Sequence, residues 1–197
     1  TEIQTGNYWS VDELMIEIRK DKIFMDESGG GITLSGGEPF LYSDFIEKLL
    51  DILKLANIHT AIDTTGYVSD LLLSRLAFKV NLFLFDLKHM NNDLHKKYTG
   101  VDNTLILKNM EYLHDNNIPL IIRYPLIPGI NDGKNVNDMK NYLLDKCPDY
   151  KEIHILPYHN IASHKYRQFG IENKMEAHSE PTKKQISEVK SIFEKSG

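Results

Sequence analysis

Apolar residues fall in two alternating patterns along the chain. Short apolar runs alternate with stretches in which apolar residues recur every three or four positions, the periods of strand and helix. The runs are Ile32-Thr33-Leu34, "HTAIDTTG" from 59 to 66, "NLFLFDLKH" from 81 to 89, "PLIIRYPLIPG" from 119 to 129, and "EIHILPYHN" from 152. Helices are predicted at about 43–56, with Phe45, Ile46, Leu49, Leu50 and Leu53 on the buried face, and at 69–77, 103–116 and 134–145. A last helix is predicted from Thr182 onward. Ahead of the first run, Ser10-Val11-Asp12-Glu13 reads as a capping box. The helix it starts carries Leu14, Ile18 and Phe24 on one face and stops at the glycines 29–31.

Strand and helix alternate five times. Largely apolar strands separated by helices indicate a parallel α/β sheet covered on its outer face. Five strands fit an open doubly wound sheet or an incomplete barrel. The chain has 197 residues, enough for a single domain spanning 1–197. No linker or repeat divides it.

Composition narrows the functional classes. A net charge of −5 gives no nucleic-acid footprint. Asn81 and Asp86 interrupt the longest apolar stretches, so no membrane span is predicted, and no charged leader precedes an apolar run. The one cysteine, Cys147, excludes an intrachain disulfide and suits a reducing cytoplasm.

The strands carry polar residues where they end. The first runs into Gly36-Gly37-Glu38, the second into Asp63-Thr64-Thr65, the third into Asp86-Leu87-Lys88. The fourth ends near Arg123 and the fifth in Pro157-Tyr158-His159. In parallel α/β folds these ends open on the face where ligands bind. Each residue has an ordinary alternative. Asp63 caps a turn, Asp86 and Lys88 pair with each other, His159 is a rim histidine, and the glycines allow close packing of helix on strand. Together they suggest an amino-acid-like ligand. Carboxylates and exposed carbonyls suit its ammonium group, and Lys88 and Arg123 suit its carboxylate. A divalent-metal hydrolase using Asp63, Asp86 and His159 is the competing chemistry.

The motifs "SGGEP", "DTTG", "FDLKHM", "RYPLIPGIND" and "LPYH" stand in the order and spacing of the radical S-adenosylmethionine (SAM) enzymes that activate glycyl radical enzymes. The resemblance runs from about Trp9 to the C-terminus and is strongest to the pyruvate formate-lyase activating enzymes. It implies a partial (β/α)6 TIM-like barrel, the radical SAM fold, with the first strand missing from this chain. It implies SAM bound by Gly36, Gly37, Glu38, Asp63, Asp86, Leu87, Lys88, Arg123 and His159, and a monovalent cation at Asp63, Thr64 and Asp86. The implied reaction uses a reduced [4Fe-4S] cluster to cleave SAM. The resulting 5′-deoxyadenosyl radical takes a hydrogen from a glycine of a partner such as pyruvate formate-lyase. The chain is expected to act as a cytoplasmic monomer.

Two departures qualify the resemblance. The family's cluster rests on C-x3-C-x2-C, and this sequence has only Cys147. The chain therefore reads as a fragment or a truncation, inactive by itself, with a cluster-free SAM-binding module as an alternative. Ala162-Ser163 stand where many relatives have glycine ahead of a Lys-Tyr pair, here Lys165-Tyr166.

Overall fold

The structure, a computed structural model, describes residues 7–159 and 179–194. Ala162, Ser163, Lys165 and Tyr166 lie outside them. Ser10 caps α1 (Val11–Lys20): its hydroxyl accepts the Glu13 amide, and the Glu13 carboxylate accepts the Ser10 amide at 2.8 Å. The predicted helix is broken at Asp21 and resumes as α2 (Lys22–Ser28), which ends on left-handed Gly29. The break rotates the apolar face. Met25 packs inward beside Leu14 and Ile18, while Phe24, predicted on that face, is exposed.

Then follow β1 (Gly31–Leu34), a 3-10 turn (Pro39–Tyr42), α3 (Ser43–Leu55), β2 (His59–Thr64), α4 (Asp70–Leu76) and β3 (Leu82–Asp86). After them come α5 (Asn92–Thr99), α6 (Thr104–Asp115), β4 (Leu120–Leu126), α7 (Lys134–Lys146), β5 (Ile153–Pro157) and α8 (Lys183–Glu194). The sequence pattern does not predict α5. It is short and polar, and it is defined by its ends: Asn91 caps it through the Leu94 amide and left-handed Gly100 stops it.

Among the described residues the strands form a five-stranded sheet in the order β1-β2-β3-β4-β5. The β1–β2, β2–β3 and β4–β5 pairs are parallel. This sequential order has no switch point. It rules out the doubly wound alternative and is the order of a partial barrel.

Chain contacts cluster into two compact units. The first unit comprises residues 7–85 and Leu105–Ile121. Its aliphatic core joins Met15, Leu49, Leu53 and Ile58, with Ile32 and Leu34 packed on it. Burying each such leucine stabilises by about 2 kcal/mol. The second unit comprises Asp86–Thr104, 122–159 and 179–194. Ile122, Tyr124, Leu126, Val136, Met139 and Leu143 are buried there, and the rings of Tyr124 and Phe193 meet edge to face at 6.3 Å.

Strand alternation sets which side chains face a ligand. In β4, Ile122, Tyr124 and Leu126 are buried, whereas Arg123 points to the opposite face of the strand. Along the segment that continues β3, Leu87 is buried, and Asp86 and Lys88 on either side of it are part-exposed. No helix among the described residues is long and apolar enough to cross a membrane.

Candidate functional site

In the first unit the chain leaves β1 through Ser35-Gly36-Gly37-Glu38. Gly36 has φ +125°, a conformation L side chains rarely adopt. A Cβ built on Gly36 or Gly37 would meet nothing within 4 Å among the described residues. Close packing among the described residues therefore does not account for the pair. Gly66 is the opposite case: φ is +73° and a Cβ would lie 2.1 Å from the Phe85 ring.

Glu38 holds this turn against the end of β2. One carboxylate oxygen accepts the Thr64 hydroxyl at 2.8 Å. The other accepts the Thr65 amide at 2.9 Å and the Thr65 hydroxyl at 2.7 Å. The carboxylate expected to meet a ligand's ammonium group is thus engaged by protein, while Gly36 and Gly37 are exposed with space over their Cα atoms. Asn109 of α6 fixes the other side of the β2 turn, donating to the Gly66 and Val68 carbonyls at 2.8 and 2.7 Å. Asp63 accepts the Ser35 hydroxyl at 2.9 Å.

In the second unit Asp86, the last residue of β3, sits between two cations. Arg123 donates Nε and Nη2 to one oxygen at 3.0 and 2.9 Å, and Lys88 Nζ lies 3.3 Å from the other. The Asp86 and Arg123 side chains are 16% and 19% exposed, and Lys88 is 33% exposed. Asp86 thus aligns two cationic heads, a chemistry suited to a ligand carboxylate. Leu87 is buried and its amide donates to the Arg123 carbonyl at 2.9 Å. His159, just past β5, lies 3.6 Å from Glu180 through Nδ1 and is more than half exposed.

One expectation needs correction. Arg123 does not end β4; it lies mid-strand, and the strand continues through Pro125 to Leu126. The Ile122 amide and the Leu126 carbonyl bond toward β5. Pro125, at the alternate parity, turns its missing donor to the β3 side, beyond the last β3 residue, Asp86. The monovalent cation expected at Asp63, Thr64 and Asp86 gains no support. Each of these side chains has a protein partner of its own: Ser35 for Asp63, Glu38 for Thr64, and the Arg123–Lys88 pair for Asp86.

Among the described residues no group of three or more His, Cys, Asp or Glu is placed to hold a metal ion. Cys147 is buried at the C-terminal end of α7. A [4Fe-4S] cluster rests on several thiolates, and this chain's residues do not fit one.

The sequence profile of the Radical SAM superfamily matches residues 2–141. Over 193 residues the chain is 41% identical to the trans-4-hydroxy-L-proline dehydratase activating enzyme of Clostridioides difficile, covering 97% of this chain and 64% of that protein. It is 38% identical to the pyruvate formate-lyase-activating enzyme of Staphylococcus epidermidis, covering 91% and 74% of the two chains. A crystal structure of a domain of the pyruvate-formate lyase-activating enzyme from Bacteroides vulgatus superposes with a TM-score of 0.66 at 30% identity, covering 85% of this chain and 95% of that one. The chain belongs to the radical SAM superfamily, in the family of enzymes that activate glycyl radical enzymes. It spans slightly less than two thirds of the length of the Clostridioides difficile relative.

Proposed function

We propose that this chain is the SAM-binding part of an activating enzyme that generates a glycyl radical on a partner such as pyruvate formate-lyase. The hydroxyproline dehydratase relative makes that class of partner an equal candidate. The observation that carries the reading is the glycine turn after β1. Its backbone is open at Gly36 and Gly37 while Glu38 is spent on holding it in place. Open carbonyls there suit the ammonium group of SAM. Within the second unit, Lys88 and Arg123, with Asp86 aligning both heads, suit a carboxylate such as SAM carries. His159 corresponds to the histidine of the family's last motif, and Asp63 orders the turn through Ser35.

The cluster supplies, when bound, the electron that turns SAM into a source of a carbon radical. The one thiol of this sequence, Cys147, does not hold it. The chain's own work is to bind and orient SAM and to hold its charged groups with fixed partners.

Titration calorimetry with SAM tests this. Binding weaker than about 1 μM is expected without the cluster, and Lys88→Ala should weaken it about tenfold. No binding at millimolar SAM, or zinc or manganese uptake with hydrolytic activity, would overturn the reading.

A further inference from the structure

The sequence motif "PGIND" contributes Asn131, which none of the roles above uses. It is 1% exposed. Its amide nitrogen donates to the Lys88 carbonyl at 3.0 Å and to the Pro125 carbonyl at 2.6 Å. Its side-chain oxygen accepts the Ile127 amide at 2.8 Å, and its main-chain carbonyl accepts the Tyr124 hydroxyl. Both amide donors and the amide acceptor are therefore engaged. One planar group ties the turn after β3 to the end of β4.

Neighbouring side chains continue the brace. Asn103 donates to the carbonyls of His89 and Met90 at 3.0 and 2.9 Å. Asn135 accepts the Met90 amide at 2.8 Å and donates to the Tyr124 hydroxyl at 3.0 Å. Beyond Asp86 the β3 backbone has left its strand. A polar backbone leaving a strand would ordinarily be met by water. Here buried amides from separate segments meet positions 88, 89 and 90 in turn. The rigidity falls at the point from which the Lys88 side chain departs toward Asp86.

We infer that Asn131 is a positioning residue for the SAM site, acting through Lys88 by fixing the backbone from which that lysine reaches the ligand. The inference rests on the proposed role of Lys88. Asparagine suits the position because two carbonyls must be met by donors and one amide by an acceptor. Aspartate would set an acceptor against the carbonyls, and serine is too short to bridge them.

The test is a double-mutant cycle on SAM affinity in the full chain: wild type, Lys88→Ala, Asn131→Ser and the double variant, with melting temperatures alongside. Asn131→Ser should weaken SAM about fivefold alone and less than about twofold in the Lys88→Ala background. A merely structural role would leave its effect undiminished there, or lower the melting temperature with affinity unchanged, and either result overturns the inference. Should Asn131→Ser not fold, Asn103→Ala probes the same brace from another segment and must show the same coupling to Lys88. If the wild type does not bind SAM, or Lys88→Ala binds like wild type, the site reading fails first and takes the inference with it. An additive cycle sinks the inference alone.

Discussion

The two units secure a turn after a strand by different chemistry. In the first, a part-exposed carboxylate does it: Glu38 gathers a backbone amide and two hydroxyls at the end of β2. In the second, neutral and buried amides do it, as Asn103, Asn131 and Asn135 meet the backbone of 88–90. A carboxylate forms stronger bonds but must stay near water. An amide is weaker but can be buried without a counter-ion. The glycine turn has solvent beside it, so a charge is tolerated there. The Lys88 turn already has Lys88, Arg123 and Asp86 close by, and a further carboxylate would compete for those cations. Neutral bracing leaves their pairing to the ligand site.

The first way to break this contrast is at Glu38, where the largest effect on stability is expected. Glu38→Ala strands the Thr65 amide and two hydroxyls and should cost about 2–3 kcal/mol in urea unfolding. Glu38→Gln keeps the shape and an acceptor but loses the charge, and should cost about 1 kcal/mol. If Gln matches the wild type, charge is irrelevant and the two turns are held by the same kind of bond. If Gln costs as much as Ala, the clamp depends wholly on its charge.

Parts of this contrast are legible in the sequence and parts are not. Local rules find the Ser10–Glu13 box, the helices with long apolar faces such as α3, and the alternation that makes the sheet. They miss what depends on a single backbone angle or on distant partners. The break at Asp21 moves Met25 inward in place of Phe24. Pro125 lies inside β4 because its parity, not its presence, decides whether a ladder bond is lost. The strand-end residues are visible as a set because each follows an apolar run in the sequence. Their partners are not. Glu38 meets residues 26 and 27 positions away, and Asn131 meets one 43 away. The asparagines resemble loop residues until the fold buries them. The paired glycines are visible, but only the empty space at their Cβ positions separates ligand approach from packing.

A smaller effect sharpens the contrast through pH. The neutral brace contains a titratable member, His89, which is buried. Its Nδ1 accepts the Asn91 amide at 3.0 Å, so the neutral ring carries its proton on Nε2. Burial holds its pKa below the ordinary histidine value, and the charge of His95 acts in the same direction. The Ile130 backbone and Asp138 oppose them. The unfolded chain takes up this proton near pH 6.5, and the folded chain resists it. His89 therefore costs no stability above about pH 6.5, and stability falls as the pH drops below that value. Urea unfolding at about pH 7.5 and 5.5, above the carboxylate range, should show the loss, and His89→Gln should remove part of it. An unchanged slope in that variant would mean the brace is pH-neutral throughout.

The smallest effect on stability is expected at Gly37, and it bears most directly on what the first turn is for. Gly37 lacks the left-handed φ of Gly36, and a Cβ there meets no described atom within 4 Å. Gly37→Ala should therefore change stability by less than about 0.5 kcal/mol, and the stiffer unfolded chain could make that change favourable. Gly36→Ala is a poorer probe because its φ of +125° adds backbone strain, and Gly66→Ala would drive a methyl group into Phe85. If the space over Gly37 is where SAM's ammonium group reaches the backbone, the added methyl stands in its way. Affinity for SAM should then fall about tenfold with the melting temperature unchanged, a loss of about 1.4 kcal/mol confined to binding. Unchanged affinity would mean that the space serves no ligand and that Glu38 holds the turn for another purpose. A fall in stability together with affinity would mean the methyl displaces the turn itself, and the clamp would then be the feature to test next to the ligand.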